Sequence, residues 1–181
     1  MRTFTPAFLL AVFLTALSTI AIAQQAKSKR PSPPAQAKCQ FGDGKSVTVD
    51  YSSPRMKGRK IYGGLVPYSQ VWRTGANEAT TFNTTANLTV GGANVPTGDY
   101  TLFTLPSQST WKLIISKKTG EWGIPYPGEA NDLVRVDMQK QPLSSPVENF
   151  TIAFDKSGPD ACVMHVDWET TRVSVNVTEK K

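Results

Sequence analysis

Cysteine and histidine are scarce in this sequence, with two of the first and one of the second in 181 residues. Structural zinc sites, haem ligation and iron–sulfur clusters draw most of their ligands from those residue types, so these chemistries are excluded. No Asp-x-Asp-x-Asp-Gly or His-Glu-x-x-His pattern supplies a metal site by another route, and no metal or cofactor is expected. Long amphipathic helical patterns are also missing. Thirteen glycines and thirteen prolines are too few for a collagen-like or low-complexity chain, while 39% hydrophobic and 19% charged residues fit a globular one.

A broad cationic face is lacking as well, although the formal net charge is +6. Arg2, Lys27, Lys29, Arg30, Lys38, Lys180 and Lys181 lie in the two tails, which leaves thirteen basic against fourteen acidic residues between 39 and 179. Such a balance cannot release many phosphate counterions, so nucleic acid is not expected as a partner.

What the amino terminus does contain is an export pattern. Arg2 precedes a largely apolar run from Ala7 to Ile22, and Ala21-Ile22-Ala23 offers small residues to a signal peptidase. Cleavage after Ala23 is expected, giving residues 1–23 as a signal peptide and no membrane insertion afterwards, since the run is shorter than a span of about 20 residues. Residues 24–38 hold Pro31, Pro33 and Pro34 among lysine, serine, glutamine and alanine and read as a solvated, Pro/Lys-rich linker. Residues 39–179 then form one domain of an exported protein, periplasmic or extracellular.

Within that domain the periodicity is short and two-fold, with β-branched and aromatic residues punctuated by glycine, proline and asparagine. Candidate strands are 38–41, 46–51, 79–84, 87–90, 100–105, 111–116, 133–139, 148–154, 161–168 and 172–178. Gly42-Asp43-Gly44 predicts a hairpin turn between the first two. Cys162, Met164, Val166 and Trp168 alternate with polar residues, and Val173, Val175 and Val177 repeat the pattern, which suggests a second hairpin turning at Thr170-Thr171. About ten short strands without helices must bury their apolar faces on one another. An all-β, single-domain antiparallel β-sandwich, jelly-roll or Greek-key-like, is therefore expected.

In an exported chain two cysteines allow one intramolecular bridge, Cys39 to Cys162. The alternative, a reactive thiolate, needs an electropositive and partly exposed site, whereas Cys162 falls on an apolar strand face. Gly42-Asp43-Gly44-Lys45-Ser46 mimics the end of a phosphate-binding loop, but Cys39 stands where the earlier glycine is needed and a strand follows instead of a helix. His165, with Asp167 two residues away, could serve as a base, yet no nucleophile elbow accompanies it and a surface histidine is the expectation.

The segment from Ser53 to Thr80 has no clean strand or helix pattern, and connections of that length tend to carry function. It places Arg55, Lys57, Arg59 and Lys60 in six positions, followed by Trp72-Arg73 and Asn77-Glu78. Arginine beside an aromatic ring grips a carboxylate or phosphate while the ring packs on an apolar face. A second loop, Trp122-Gly123-Ile124-Pro125-Tyr126-Pro127-Gly128, has similar character and could flank the same site. Arg55, Arg59, Trp72, Arg73, Asn77, Glu78 and Trp122 are the candidate ligand contacts for a small polar or anionic molecule. Two other readings stand beside this one. A hydrolase would use Glu78 as acid or base with Arg73 stabilising negative charge; a structural clamp would pair Arg73 with Glu78 and bury Trp72 and Tyr62. Oligomeric state is not readable.

Several motifs together resemble a known family: Asp50-Tyr51-Ser52-Ser53-Pro54, Lys57-Gly58-Arg59, Gly64-Leu65-Val66-Pro67-Tyr68 and Trp72-Arg73-Thr74-Gly75-Ala76-Asn77-Glu78-Ala79-Thr80. Gly98-Asp99-Tyr100-Thr101-Leu102-Phe103-Thr104, Trp111-Lys112-Leu113-Ile114-Ile115, Gly120-Glu121-Trp122-Gly123 and Val147-Glu148 extend the likeness. From Val49 to Asn176 the chain is similar to the bacterial family called domain of unknown function 2911. That resemblance implies a bacterial exported protein and carries no assigned catalytic or binding residue.

Overall fold

The computed structural model describes residues 29–181, so the expected signal peptide and the first residues of the expected linker lie outside it. Nine antiparallel strands form the described chain, with one 3-10 turn at Glu129–Asn131. They are β1 (Pro34–Gln40), β2 (Ser46–Ser52), β3 (Thr80–Thr84), β4 (Leu88–Val90), β5 (Ala93–Val95), β6 (Gly98–Leu105), β7 (Trp111–Ser116), β8 (Asp132–Gly158) and β9 (Ala161–Glu179). Their order is β1-β2-β3-β6-β7-β8-β9-β4-β5, a nine-stranded sheet in which the β4–β5 hairpin is carried to the far side of β9. The sheet bends around one apolar core, the sandwich-like all-β architecture that helix-free alternation demands.

Alternation explains the core. Val47, Val49 and Tyr51 of β2, Phe82 of β3, Leu102 of β6 and Leu113 and Ile115 of β7 all point inward and are buried. The outer face of β6 and β7 is also apolar at Phe103 and Ile114, which are opposite each other and fully buried. Tyr126, from the loop after β7, packs edge-on against Phe103 with ring centroids 5.2 Å apart, so that loop lies over this outer face.

The expected turn between β1 and β2 is present: Gln40 pairs with Ser46, Gly44 takes φ 90°, and Asp43 Oδ1 accepts the Lys45 amide at 3.0 Å. A disulfide joins Cys39 to Cys162 across 123 residues, as the sequence suggests.

Three expectations are corrected. The second hairpin does not form, because residues 161–179 are one long strand paired with β8, and the turn that reverses the chain follows Gly158. Glu169, opposite Val147, takes φ 54° where the register with β8 shifts on both sides of that pair, and the inward parity passes from Met164, Val166 and Trp168 to Val173, Val175 and Val177. A bulge and a hairpin both reset parity, so the sequence pattern fits either. The candidates 133–139 and 148–154 likewise fuse into β8, and β5 is added, which turns about ten short strands into nine, two of them long.

His165 is also not on the surface. It is buried against β8, with Asp155 and Asp167 carboxylates each 3.4 Å from a ring nitrogen and Arg172 clasping Asp167 through two hydrogen bonds. Its polar-face position is right, but that face is closed off at this point, since Asp167 beside it is buried as well.

Finally, β1 begins at Pro34 and takes in the last five residues of the stretch read as linker, with Pro34 opposite Ser52. Proline suits the first position of an edge strand, and the inward residues are two alanines and a cysteine, Ala35, Ala37 and Cys39, so the apolar signal there is faint.

Candidate functional site

The segment between β2 and β3 crosses one end of the core without regular structure, held by a few backbone bridges. Arg55 pairs with Asn149 of β8, and Trp72 exchanges both backbone hydrogen bonds with Thr104 of β6, at 2.8 and 2.9 Å. Ile61, Tyr62 and Val66 are buried, so the segment is anchored from below.

Its main anchor is aromatic. Trp72 stacks on Trp168 with centroids 6.0 Å apart and an interplanar angle of 17°, and meets Phe150 edge-on at 5.1 Å. Tyr62 sits edge-on to Trp111 at 4.8 Å and to both Trp72 and Trp168 at 6.4 Å. Trp72 Nε1 donates to the Gly75 carbonyl at 3.2 Å, so the ring is fully used by the fold on that side. Burial raises the Tyr62 phenol far above its ordinary value, with the Glu169, Asp167 and Tyr68 charges adding to it.

Arg73, the next residue, is differently situated. Its Nε and Nη1 are buried and donate to no acceptor among the described residues. The Trp122 ring lies beside it, with its centroid 5.8 Å from Cζ. Burial lowers the Arg73 pKa, and the field of Glu78 opposes this only in part. Gly123 makes the arrangement possible, because a Cβ there would lie 2.9 Å from Arg73 Cβ and 3.0 Å from Ala79 Cβ. At φ 83° that position also suits glycine alone.

Arg73 opens on a cleft of about 380 Å³, within the usual range of small-molecule sites. Trp72, Trp168, Pro54 and Val66 form apolar walls, Ser32 and Arg59 contribute polar groups, and Leu65 and Ile124 stand at the lining too. Among the described residues no acidic one lines it. Arg59 is partly committed, since it donates to the Met56 and Arg55 carbonyls at 3.0 and 2.6 Å.

Of the sequence candidates, then, Arg59, Trp72 and Arg73 share one cleft and Trp122 flanks it. Arg55 is turned elsewhere, donating to the carbonyl and hydroxyl of Ser53 at 2.7 Å each. Asn77 and Glu78 face the amino-terminal segment: Asn77 Nδ2 donates to the Ser32 carbonyl at 3.0 Å, and Arg30 Nη1 reaches the two Glu78 oxygens at 2.9 and 2.7 Å. Glu78 lines a separate hollow of about 190 Å³ with Arg30, Asp50 and Tyr51. Arg73 and Glu78 therefore do not meet in one hollow or form an ion pair.

Sequence reasoning missed the contributions of Arg30 and Ser32, since a segment with no large apolar residue gives no pattern and a contact across 48 residues leaves no local trace. Leu65, Ile124 and Trp168 were also missed. The first two carry a signal that could have been weighed, a large apolar residue inside a polar, glycine-rich loop.

Fold and site together define an all-β, sandwich-like module with a cation-headed cleft over one end of its core. Among protein families, residues 32–177 match the model described as a protein of unknown function (DUF2911), and the chain belongs to that family. No curated protein and no solved structure matches it.

Proposed function

We propose that this protein is a non-catalytic binding module for a small polar or anionic ligand, held in the cleft formed by the 54–80 segment and the Trp122–Gly128 loop. One observation carries the reading: a guanidinium sealed from water at two nitrogens, with no acceptor for them from the described residues, heads a cleft that no described acidic residue lines. A buried, unpaired cation destabilises a fold, and an arriving anion removes that cost. Arginine offers a planar fork of donors that matches a carboxylate or phosphate. Export to the periplasm or beyond is part of this proposal. It is supported by the Cys39–Cys162 bridge and by the amino-terminal sequence pattern, and no described helix is long and apolar enough to cross a membrane.

The test is thermal unfolding of the mature chain with sodium acetate, sodium phosphate or sodium decanoate, each against sodium chloride at equal ionic strength. At least one of these anions should raise the Tm of the wild type and leave that of Arg73→Gln unmoved. If none protects the wild type through Arg73, the binding role is wrong.

A further inference from the structure

We infer that the ligand of this cleft is an amphipathic monoanion: one carboxylate-like head carried on an apolar body. This rests on the anion-binding reading above and specifies its ligand class.

Three observations converge on it. The exposed large hydrophobic residues among those described are Leu65, Trp122 and Ile124, at 47%, 54% and 66% exposure. Leu65 and Ile124 line the Arg73 cleft, and Trp122 lies against the Arg73 guanidinium, so all three belong to one site instead of being scattered. Isolated exposed apolar residues need no explanation, but a cluster around a cleft marks a surface that something apolar covers. Second, the cleft walls continue the apolar character inward through Pro54, Val66, Trp72 and Trp168. A bare inorganic anion would leave these surfaces wet, whereas an apolar body would bury them. Third, the polar capacity at the head is small: Arg73 is the uncommitted cation, and Arg59 already serves two carbonyls. One half-buried cation balances one negative charge, and a dianion would keep an excess charge in a largely apolar surround.

The cleft favours a dissolved amphiphile over a membrane surface. Two of the Arg73 nitrogens are withdrawn from solvent where the residue lines the cleft, so the head must enter the cleft to meet the guanidinium, which a headgroup fixed at a bilayer surface cannot do without leaving the bilayer. The head-in, body-out orientation is the ligand's expected pose, with its apolar body over Trp72 and along Ile124 and Leu65.

Titration calorimetry on the mature chain would use decanoate below its micelle-forming concentration, acetate, inorganic phosphate and 1-decanol, with phosphatidylglycerol and phosphatidylcholine vesicles in co-sedimentation. Decanoate should bind at least about 10-fold more tightly than acetate, phosphate or decanol. Arg73→Gln should weaken decanoate by roughly 30-fold or more, the usual consequence of removing one partner of a buried charge contact. Leu65→Ser with Ile124→Ser should weaken decanoate while leaving acetate affinity unchanged, a result that a misfolded variant could not give. Acetate or phosphate binding as tightly as decanoate in an Arg73-dependent manner overturns the ligand class but leaves the anion site standing. Decanoate binding equally to wild type and Arg73→Gln overturns both, as does the absence of binding by any anion. Co-sedimentation with phosphatidylglycerol vesicles without binding of dissolved decanoate assigns the rim to a membrane and overturns the inference.

Discussion

Two arginines in this chain sit against aromatic rings at nearly the same distance, and their surroundings are opposite. Arg73 lies 5.8 Å from the Trp122 ring centroid and Arg135 5.9 Å from that of Tyr126. Arg135 is fully served: Asp132 and Glu129 form ion pairs with it at 2.5 and 3.0 Å, and its Nη2 donates to the Tyr126 hydroxyl at 2.9 Å. Burial pushes the Arg135 guanidinium down, but hydrogen bonds with Asp132 and Tyr126 outweigh it and the net direction is up. At Arg73 burial acts with only the more distant Glu78 against it, and the net direction is down. The first arginine is a structural fastening that holds the loop over Phe103, and the second is a cation kept without a partner. An arginine beside a ring is therefore no sign of function by itself; the missing acceptor is.

Breaking the fastening should have the largest effect. Asp132→Ala would strip Arg135 of its closest ion-pair partner and release Tyr126, whose hydroxyl hydrogen-bonds Asp132 Oδ1. Because Arg135 retains Glu129 and some solvent, the expected loss is about 2 kcal/mol, below the range for a fully buried broken pair. Denaturant unfolding measures it, and a change under about 0.5 kcal/mol would show that the loop needs no fastening.

The second substitution has the opposite sign. Arg73→Met keeps an apolar stem against Gly123 and Ala79 and removes a charge that has no partner, so the fold should gain about 1 kcal/mol while anion binding is lost. A structural clamp predicts the reverse. If Arg73→Met lowers the Tm, the cation is serving the fold and the cleft loses its assigned purpose.

The difference between the two arginines could not be read from the sequence, where both are simply arginine near tyrosine or tryptophan. Alternating residues in β2 and in β9 were legible, because a strand with one buried face writes its geometry into every second residue. The 53–80 loop and its Trp72-Arg73 centre were legible for the converse reason, polar and aromatic residues without a period. The Glu169 bulge was not, since one residue at φ 54° shifts parity much as a turn does. Nor was the amino-terminal segment: Arg30 and Ser32 reach Glu78 and Asn77 across the fold, and pairings of that kind depend on where β1 is docked.

A smaller effect distinguishes the two sites by pH. The Tyr126 phenol is pushed up to about 12, first by burial and then by its bond to Asp132, with Arg135 opposing. An unfolded tyrosine titrates near ~10. The folded state thus holds a proton that the unfolded state gives up, so this contribution is complete below pH ~10 and is lost as pH rises toward ~12. Discounted for solvent at a half-exposed ring, it amounts to less than about 1 kcal/mol. Tyr126→Phe should flatten the alkaline fall in stability over that window, whereas Trp122→Phe, beside the other arginine, should leave it unchanged. Equal slopes in wild type and Tyr126→Phe would remove the phenol from the account.

The smallest change in stability is expected at Arg30, and it bears most directly on Arg73. The Arg30–Glu78 pair is 34% and 43% exposed at its side chains, so its loss should cost only about 0.5 kcal/mol, less in high salt. Its electrostatic consequence reaches further, because Glu78 already acts on Arg73 through space. Arg30 partly neutralises that carboxylate, and without it the negative field at the cleft strengthens against an incoming anion. Arg30→Ala should therefore weaken decanoate binding about 2- to 5-fold at low ionic strength, and Glu78→Gln should strengthen it by a similar factor, both effects shrinking as salt is added. An acid–base role for Glu78 predicts a different pattern, with Glu78→Gln leaving affinity alone and abolishing turnover. Should Arg30→Ala and Glu78→Gln move affinity in the same direction, Glu78 is positioning the loop instead of setting the charge that Arg73 presents.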